Sequence, residues 1–204
     1  MSSVFKRTTI KVLLLLLPLC GMWQLGSATY IHAKAVLAQV LLDIAWDKTI
    51  HGRQEVKPWP WADTWPISRL GVPGLGVDRI VLAGASGSSL AFGPGHLFGS
   101  SLPGQQGNTV IAGHRDTHFR FLKDIQRGEL IQLQSLTGET IQYEVSEVII
   151  VHEKEAEYLA NTSENTLTLI TCYPFNAIRP GGPLRYLVIA KQHATDINTH
   201  IVHM

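Results

Sequence analysis

From Ile67 onward, apolar and polar residues alternate with a period close to two, a pattern typical of β-strands with one buried face. Glycines and prolines separate the apolar runs and mark the turns between them. Many short strands with few helices favour a closed or nearly closed barrel, because closure removes exposed strand edges. Strands are predicted at 67–72, 79–83, 109–112, 130–136, 140–151, 166–171 and 184–191, and short helical turns at 119–125 and 153–160.

The N-terminal part of the chain has a different pattern. Segment 1–11 carries three basic residues, and segment 12–31 is uncharged and mostly apolar. A segment of roughly 20 residues can cross a bilayer as a helix, and basic residues ahead of it predict a cytoplasmic N-terminus with an exported domain. The alternative is a cleaved signal peptide, for which Gly26-Ser27-Ala28 offers a cleavage site. Apolar residues continue at helical spacing up to His51-Gly52, which favours a retained single-pass anchor.

Residues 32–66 are predicted to link the anchor to the globular domain, first as a helix and then as a strap rich in Trp and Pro. Three prolines within nine residues exclude a helix interior or a central strand there. Trp59, Trp61 and Trp65 are expected to bury their rings, so the strap is predicted to be extended and packed on the outside of the barrel. An interfacial aromatic belt or a partner-binding site is the alternative.

Composition narrows the possible functions. The chain has 204 residues and a formal net charge of +1, which argues against a concentrated basic surface for nucleic acid. It has only two cysteines, and Cys20 lies within the apolar N-terminal segment, so a disulfide scaffold is excluded. Cys172 is therefore the single thiol of the globular part. It is either a candidate nucleophile or a small buried hydrophobe.

Cys172 ends the strand-like run that begins at Thr166, just before Tyr173-Pro174. The next predicted strand begins at Leu184. If the two strands are antiparallel neighbours, the end of one lies beside the start of the other and Arg185 falls near Cys172. A guanidinium there would favour the thiolate by charge and stabilise the oxyanion of a tetrahedral intermediate. The alternative is an ordinary surface arginine.

His114 ends another strand-like run, which starts at Asn108. A cysteine nucleophile needs a group that accepts a proton and returns it to the leaving amine, and histidine is the usual choice. His118 lies four positions further on, a spacing that would suit two metal ligands on a helix, but no third ligand cluster is evident and no metal site is predicted. Segment 84–89 has some likeness to a phosphate loop but lacks its lysine, so a turn is predicted.

The runs 108–114 and 166–172 and the strand carrying Arg185 resemble the three signature segments of the sortases, in the same order of His, Cys and Arg. The resemblance extends over about 67–192. It implies a closed eight-stranded sortase-type β-barrel, mainly β with short helices, as the catalytic domain at 67–204, and no cofactor. It also implies a cysteine transpeptidase or endopeptidase, in which Cys172 attacks the Thr–Gly bond of an LPXTG-like sorting signal in a secreted protein and forms a thioester.

By the same resemblance, an amine acceptor such as a cell-envelope component then resolves the thioester. His114 would act as acid and base, Arg185 would bind substrate carbonyls and the oxyanion, and Thr171 would line the site. The Cys172-Tyr-Pro-Phe175 run and the strap are similar to those of the sortases of Gram-negative bacteria. That subgroup implies an inner-membrane protein with its catalytic domain in the periplasm.

Two other readings stay open. Another cysteine peptidase is the first, although a papain-like enzyme has its cysteine before its histidine and an L,D-transpeptidase carries a Ser-His-Gly-Cys run that is absent here. The second is a non-catalytic, membrane-anchored β-domain that binds a partner protein through the tryptophans of the strap. In that reading Cys172 is a buried core thiol.

Overall fold

The computed structural model describes residues 2–52, 55–179 and 181–193. The chain divides into two compact units, one up to Val40 and the other from Leu41 onward.

A single helix, α1, extends over Ser2–Ile50 and ends where His51-Gly52 forms a turn. Its portion Leu13–Ile50 is long and apolar enough to cross a membrane, a test of length and composition that a signal sequence also passes. The last turns of α1 belong to the second unit. There Leu42 and Trp46 pack with two residues of the barrel's second strand in a small, fully apolar cluster.

The second unit is a closed eight-stranded barrel, so the predicted mainly β fold is confirmed. Its strands are β1 (Pro66–Val72), β2 (Val77–Ala83), β3 (Gly95–His96), β4 (Asn108–Ala112), β5 (Leu130–Gln134), β6 (Thr140–His152), β7 (Thr166–Tyr173) and β8 (Leu184–Gln192). Their order around the barrel is β1-β2-β3-β4-β7-β8-β6-β5. Sequence alternation predicted every strand except β3, which has two residues and therefore no period to detect.

Short helices connect the strands. The one-turn helix α2 (Gly87–Leu90) follows β2, and the side chain of Ser86 caps its first turn. It occupies part of the segment predicted as a turn. Three 3₁₀ helices lie at Pro73–Leu75, Arg120–Lys123 and Ala156–Leu159, the last two within the predicted helical turns.

Alternate residues of the strands fill the barrel. Leu167 and Leu169 of β7, Ile111 of β4 and Val188 of β8 are completely buried in one apolar cluster. Full burial of each such side chain stabilises the fold by about 1.5–3 kcal/mol. The residues between them point to the other face of the sheet, where Val110, Thr168 and Leu187 are buried as well, so both faces of these central strands are covered.

The strap differs in part from the prediction. It follows a series of turns and bends rather than one extended segment. Trp65 packs against the barrel core, and the ring of Trp59 meets Phe92 edge-on at 4.8 Å between centroids. Trp61, however, is 82% exposed, so the expectation that all three rings are buried was wrong at this position. The turn closed by the Ala62 amide and the Trp59 carbonyl leaves this ring at its tip.

Gly113 directly follows the last residue of β4. A substitution there measures how tightly the core packs against this part of the chain. A Cβ atom at Gly113 would lie 2.7 Å from the ring of Phe119, which is completely buried and has no room to move. We expect Gly113→Ala to lower the free energy of unfolding by about 1–3 kcal/mol through overpacking. Urea unfolding followed by tryptophan fluorescence measures it. Gly87→Ala is the matched control, because its Cβ meets nothing within 4 Å. Equal midpoints for the two variants would contradict the prediction.

Candidate active site

Cys172 lies near the end of β7 and pairs directly with Arg185 of β8. The two strands are antiparallel neighbours. This is the condition under which the sequence predicted Arg185 to lie near Cys172. Directly opposed residues of such a pair carry their side chains on the same face, with Cβ atoms about 4.5–5.5 Å apart. The register therefore brings a thiol and a guanidinium together on one face of the sheet.

His114 reaches the same row from β4, which lies on the other side of β7. The two strands are parallel, with Ala112 opposite Ile170, and the amide of Gly113 continues the pairing by donating to the Ile170 carbonyl at 3.1 Å. If the register is continued two residues beyond Ala112, where the strand ends, His114 falls beside Cys172. By this extrapolation, three segments distant in sequence form one row.

Thr171 lies on the opposite face of β7 from Cys172, as alternation requires. Its side chain is buried, and its hydroxyl donates to the carbonyl of Gly113 at 2.7 Å. This bond fixes the residue that precedes His114 to the residue that precedes Cys172. Thr171 therefore ties the two strand ends together, and its hydroxyl is already used within the protein.

The three polar side chains of the row are accessible. Cys172 is a free, half-buried thiol, His114 is exposed, and the Arg185 side chain keeps 24% of its exposure. A thiol that only filled the core would be enclosed like Leu169 on the same strand, which is completely buried. A substrate can thus reach Cys172 from outside the barrel.

Arg185 is held by three partners. It donates through Nη1 to the carbonyls of Gly182 at 2.6 Å and Leu184 at 3.0 Å. Through Nη2 it donates to a carboxylate oxygen of Glu153 at 2.6 Å. Among the described residues no acceptor contacts its Nε, which leaves that N–H for a ligand. Glu153 lies 32 positions away in sequence, just after β6, and sequence reasoning did not single it out.

Arg115 is a second residue that sequence reasoning missed. Although charged, it is only 5% exposed, and it follows His114 directly. Its hydrogen bonds to the carboxylate of Asp116 raise the pKa of the guanidinium above its ordinary value and lower the pKa of Asp116. A charged residue next to a candidate catalytic histidine was the only sequence signal available.

His118 lies on the turn after β4 rather than on a helix, so its spacing from His114 does not place the two rings on one helical face. Burial lowers the pKa of His118, and a hydrogen bond to the backbone of Ala91 opposes this only in part. The imidazole is therefore neutral at neutral pH. Among the residues that the structure describes, no group of three His, Cys, Asp or Glu side chains is placed to hold a metal ion.

The loop between β6 and β7, residues 153–165, is anchored to the start of β4. The side-chain oxygen of Asn161 accepts hydrogen bonds from the Asn108 amide at 2.8 Å and the Ser101 hydroxyl at 3.0 Å. In return, the side-chain amide of Asn108 donates to the carbonyls of Tyr158 and Ala160. Residues 158–161 of the loop are thus fixed by side chains at the start of β4, the end of the strand away from His114.

The second unit also contains a cavity of about 650 Å³. Its lining includes Trp65, Ile67, His96 and Phe98, and none of His114, Cys172 and Arg185 contributes to it. The candidate site is therefore defined by the row of reactive side chains and not by the cavity.

The closed barrel and the accessible thiol beside an arginine and a histidine define a β-barrel protein with a candidate cysteine nucleophile. Residues 70–193 match the family model described as Sortase domain, and the chain belongs to the sortase family. It is 31% identical over 124 residues to Sortase D of Bacillus subtilis (strain 168), a match that covers 60% of this chain and 62% of that relative. The match thus spans less than two thirds of the relative's length.

Solved structures agree with this assignment. Sortase C-1 from Actinomyces oris superposes with a TM-score of 0.57 at 30% identity, covering 64% of this chain and 75% of that one. A Sortase D5 transpeptidase from Clostridium perfringens gives a TM-score of 0.61 at 25% identity, with coverage of 78% and 99%. Both matches place the sortase fold on the barrel unit.

Proposed function

We propose that this chain is a cysteine transpeptidase that cleaves an LPXTG-like sorting signal in a secreted protein and transfers the cleaved protein to an amine acceptor. The observation that carries the proposal is the register pairing of Cys172 with Arg185. The β4–β7 pairing, continued beyond Ala112, supports a place for His114 on the other side of Cys172. Membership of the sortase family supports the reaction type. The accessible thiol argues against a non-catalytic domain with a buried core cysteine.

In the first step, the Cys172 thiolate attacks the carbonyl carbon of the signal's threonine. The Thr–Gly C–N bond breaks, protonated His114 gives its proton to the leaving amine, and a thioester forms on Cys172. In the second step, the acceptor amine attacks the thioester and gives a proton to His114, and the sulfur leaves as thiolate. No residue is consumed over the cycle. Hydrolysis, in which water replaces the amine, would make the same site an endopeptidase.

Arg185 is proposed to stabilise the oxyanion of both tetrahedral intermediates and to bind substrate carbonyls. Its Nε–H is a donor without a partner among the described residues, and the bond to Glu153 orients the planar group. Thr171 is proposed to serve the site by fixing Gly113, because its hydroxyl is bonded there and lies on the face away from the thiol.

The proposed nucleophile is tested by Cys172→Ala. The variant should fold, because replacing an accessible thiol by a methyl group costs little stability, and it should neither cleave a fluorogenic LPXTG peptide nor yield a hydroxamate with hydroxylamine. The detergent-solubilised full chain is the enzyme, and circular dichroism checks its fold. In the wild type, iodoacetamide should modify the peptide that contains Cys172, as mass spectrometry detects. Comparable cleavage by the Ala variant would rule out the proposed mechanism.

The roles of His114 and Arg185 are tested by substitution. We expect Arg185→Lys to lose about 10²–10³-fold in turnover, because a point charge does not replace the planar fork. His114→Ala should lose about 10²–10⁴-fold, the usual contribution of general acid–base catalysis. His118→Ala is the matched control and should have a mild effect. If it is as damaging as His114→Ala and a chelator inactivates the wild type, a metal site must replace this assignment.

We also propose that segment 12–31 is a retained inner-membrane anchor with segment 1–11 in the cytoplasm and the barrel in the periplasm, as in the Gram-negative subgroup. The three basic residues of segment 1–11 and the apolar helix support this. After cell fractionation the protein should stay with the inner membrane through a salt wash, and protease added to spheroplasts should digest the barrel. A soluble mature form that begins near Thr29 would show that the segment is a signal peptide.

A further inference from the structure

The β7–β8 loop, residues 174–183, begins two residues after Cys172 and returns the chain to Arg185. Its far end is held by Arg185, which donates to the Gly182 carbonyl at 2.6 Å. Its near end contains a turn in which the Ala177 amide donates to the Pro174 carbonyl at 3.3 Å. The Pro174 carbonyl can accept a second hydrogen bond, and the Ala177 carbonyl takes its donor from outside this turn.

Arg115 supplies these donors. Its Nη1 donates to the Pro174 carbonyl at 2.6 Å and its Nη2 to the Ala177 carbonyl at 2.9 Å. Asp116 accepts from the other edge of the guanidinium, from Nε at 2.9 Å and from Nη2 at 3.0 Å. All three nitrogens are thus engaged. We call this set of four hydrogen bonds the Arg115 clamp.

The clamp joins the two segments that carry the proposed chemistry. Arg115 follows His114 in the chain, and Pro174 follows Cys172 by two residues. The partners are 59 and 62 positions from Arg115 in sequence, so the contact is a tertiary one. The guanidinium lies beneath the loop with 5% exposure, whereas the side chain of Asp116 is 65% exposed. The Pro174 and Ala177 carbonyls of the loop lie directly against this charge.

We propose that Arg115 is a positioning residue that locks the start of the β7–β8 loop onto the histidine segment and so fixes the relative placement of His114 and Cys172. This inference rests on the proposed function for its effect on turnover, but the clamp itself is a property of the fold. Misplacing reacting groups by about 1 Å typically costs on the order of 10²-fold in rate. Loss of the clamp therefore acts on the rate of reaction more than on substrate binding.

The geometry of the group, rather than its charge, carries this role. A planar fork reaches two carbonyls and a carboxylate at once, whereas an ammonium group on a flexible stem does not hold all three in fixed directions. The attraction of Arg115 to Cys172 is the smallest of the causes that raise the pKa of this arginine, and the hydrogen bond to Asp116 is the largest. Lysine should therefore be a poor substitute although it keeps the positive charge.

The test uses the detergent-solubilised full chain with the fluorogenic LPXTG peptide. We expect Arg115→Lys and Arg115→Ala each to lose about 10²-fold in kcat with a smaller change in KM. Arg120→Ala is the matched control, an exposed arginine on the same segment that should leave both constants unchanged. Full activity of Arg115→Lys would overturn the proposal, since charge alone would then suffice. So would Arg115→Ala activity equal to that of the wild type.

Hydrogen–deuterium exchange gives a readout that does not depend on activity. In Arg115→Lys the amides of residues 175–179 should exchange faster, while those of β7 and β8 keep their protection. Unchanged exchange in 175–179 would overturn the clamp. Faster exchange throughout the barrel would do so as well, because it would indicate a general loss of stability. If Arg115→Ala does not fold, Arg115→Lys and Asp116→Asn decide the question by the same measurement.

This design separates the two proposals. If the wild type cleaves no sorting peptide and forms no hydroxamate, the proposed function fails, yet exchange in 175–179 still decides whether Arg115 holds the loop. If the wild type is active and Arg115→Lys retains both turnover and loop protection, the clamp fails while the proposed function stands.

Discussion

The candidate site depends on the register of β7 with its two neighbours. β7 is parallel to β4 and antiparallel to β8, and each pairing fixes one partner of Cys172. Because side chains alternate along a strand, a slip of one residue in either pairing would move a partner to the opposite face. Leu167 and Leu169 are completely buried in the apolar core, whereas Thr168 on the other face is buried with its hydroxyl bonded to Asn108, and a slip would exchange these two environments. The apolar core therefore specifies the geometry of the polar row on the outside.

The ends of the strands need separate fixation, because ladder hydrogen bonds stop where the reactive residues lie. The Thr171 hydroxyl bonds the Gly113 carbonyl, and Gly113 has no Cβ, so the ring of Phe119 packs directly against its backbone. The hydrogen bond from Thr171 to Gly113 joins the ends of β7 and β4. The contact of Gly113 with Phe119 holds the end of β4 against the core. Together they hold the segment that leads to His114 in place before any substrate binds.

Sequence alone predicted the parts of the fold that depend on local pattern. Alternation located seven strands, and the assumption that the strands of Cys172 and Arg185 are antiparallel neighbours predicted that the two residues lie close together. The two-residue strand β3 carries no period, and it forms because its neighbours β2 and β4 offer edges to pair with. Glu153 and Arg115 were not predicted as site residues, since their partners lie 32 to 62 positions away and no local pattern encodes such contacts. The exposed ring of Trp61 shows the same limit, because a tryptophan's burial depends on what the chain packs beside it.

The two arginines near the thiol differ in how many of their N–H donors the protein uses. This difference assigns a positioning role to Arg115 and a role in the reaction to Arg185. Arg115 makes four hydrogen bonds through its three guanidinium nitrogens and is only 5% exposed, so little of the group is open to a ligand. Within the described part of the chain, Arg185 bonds through its two terminal nitrogens and not through Nε, keeps 24% of its side-chain exposure and shares the face of Cys172. An oxyanion donor must be held rigidly and still present an unused N–H, because preorganisation and availability are both needed for transition-state stabilisation. Arg185 meets both requirements, because it is held rigidly and still has an N–H that the described residues leave unused. Arg115 is also held rigidly, but its hydrogen bonds serve to fix the β7–β8 loop.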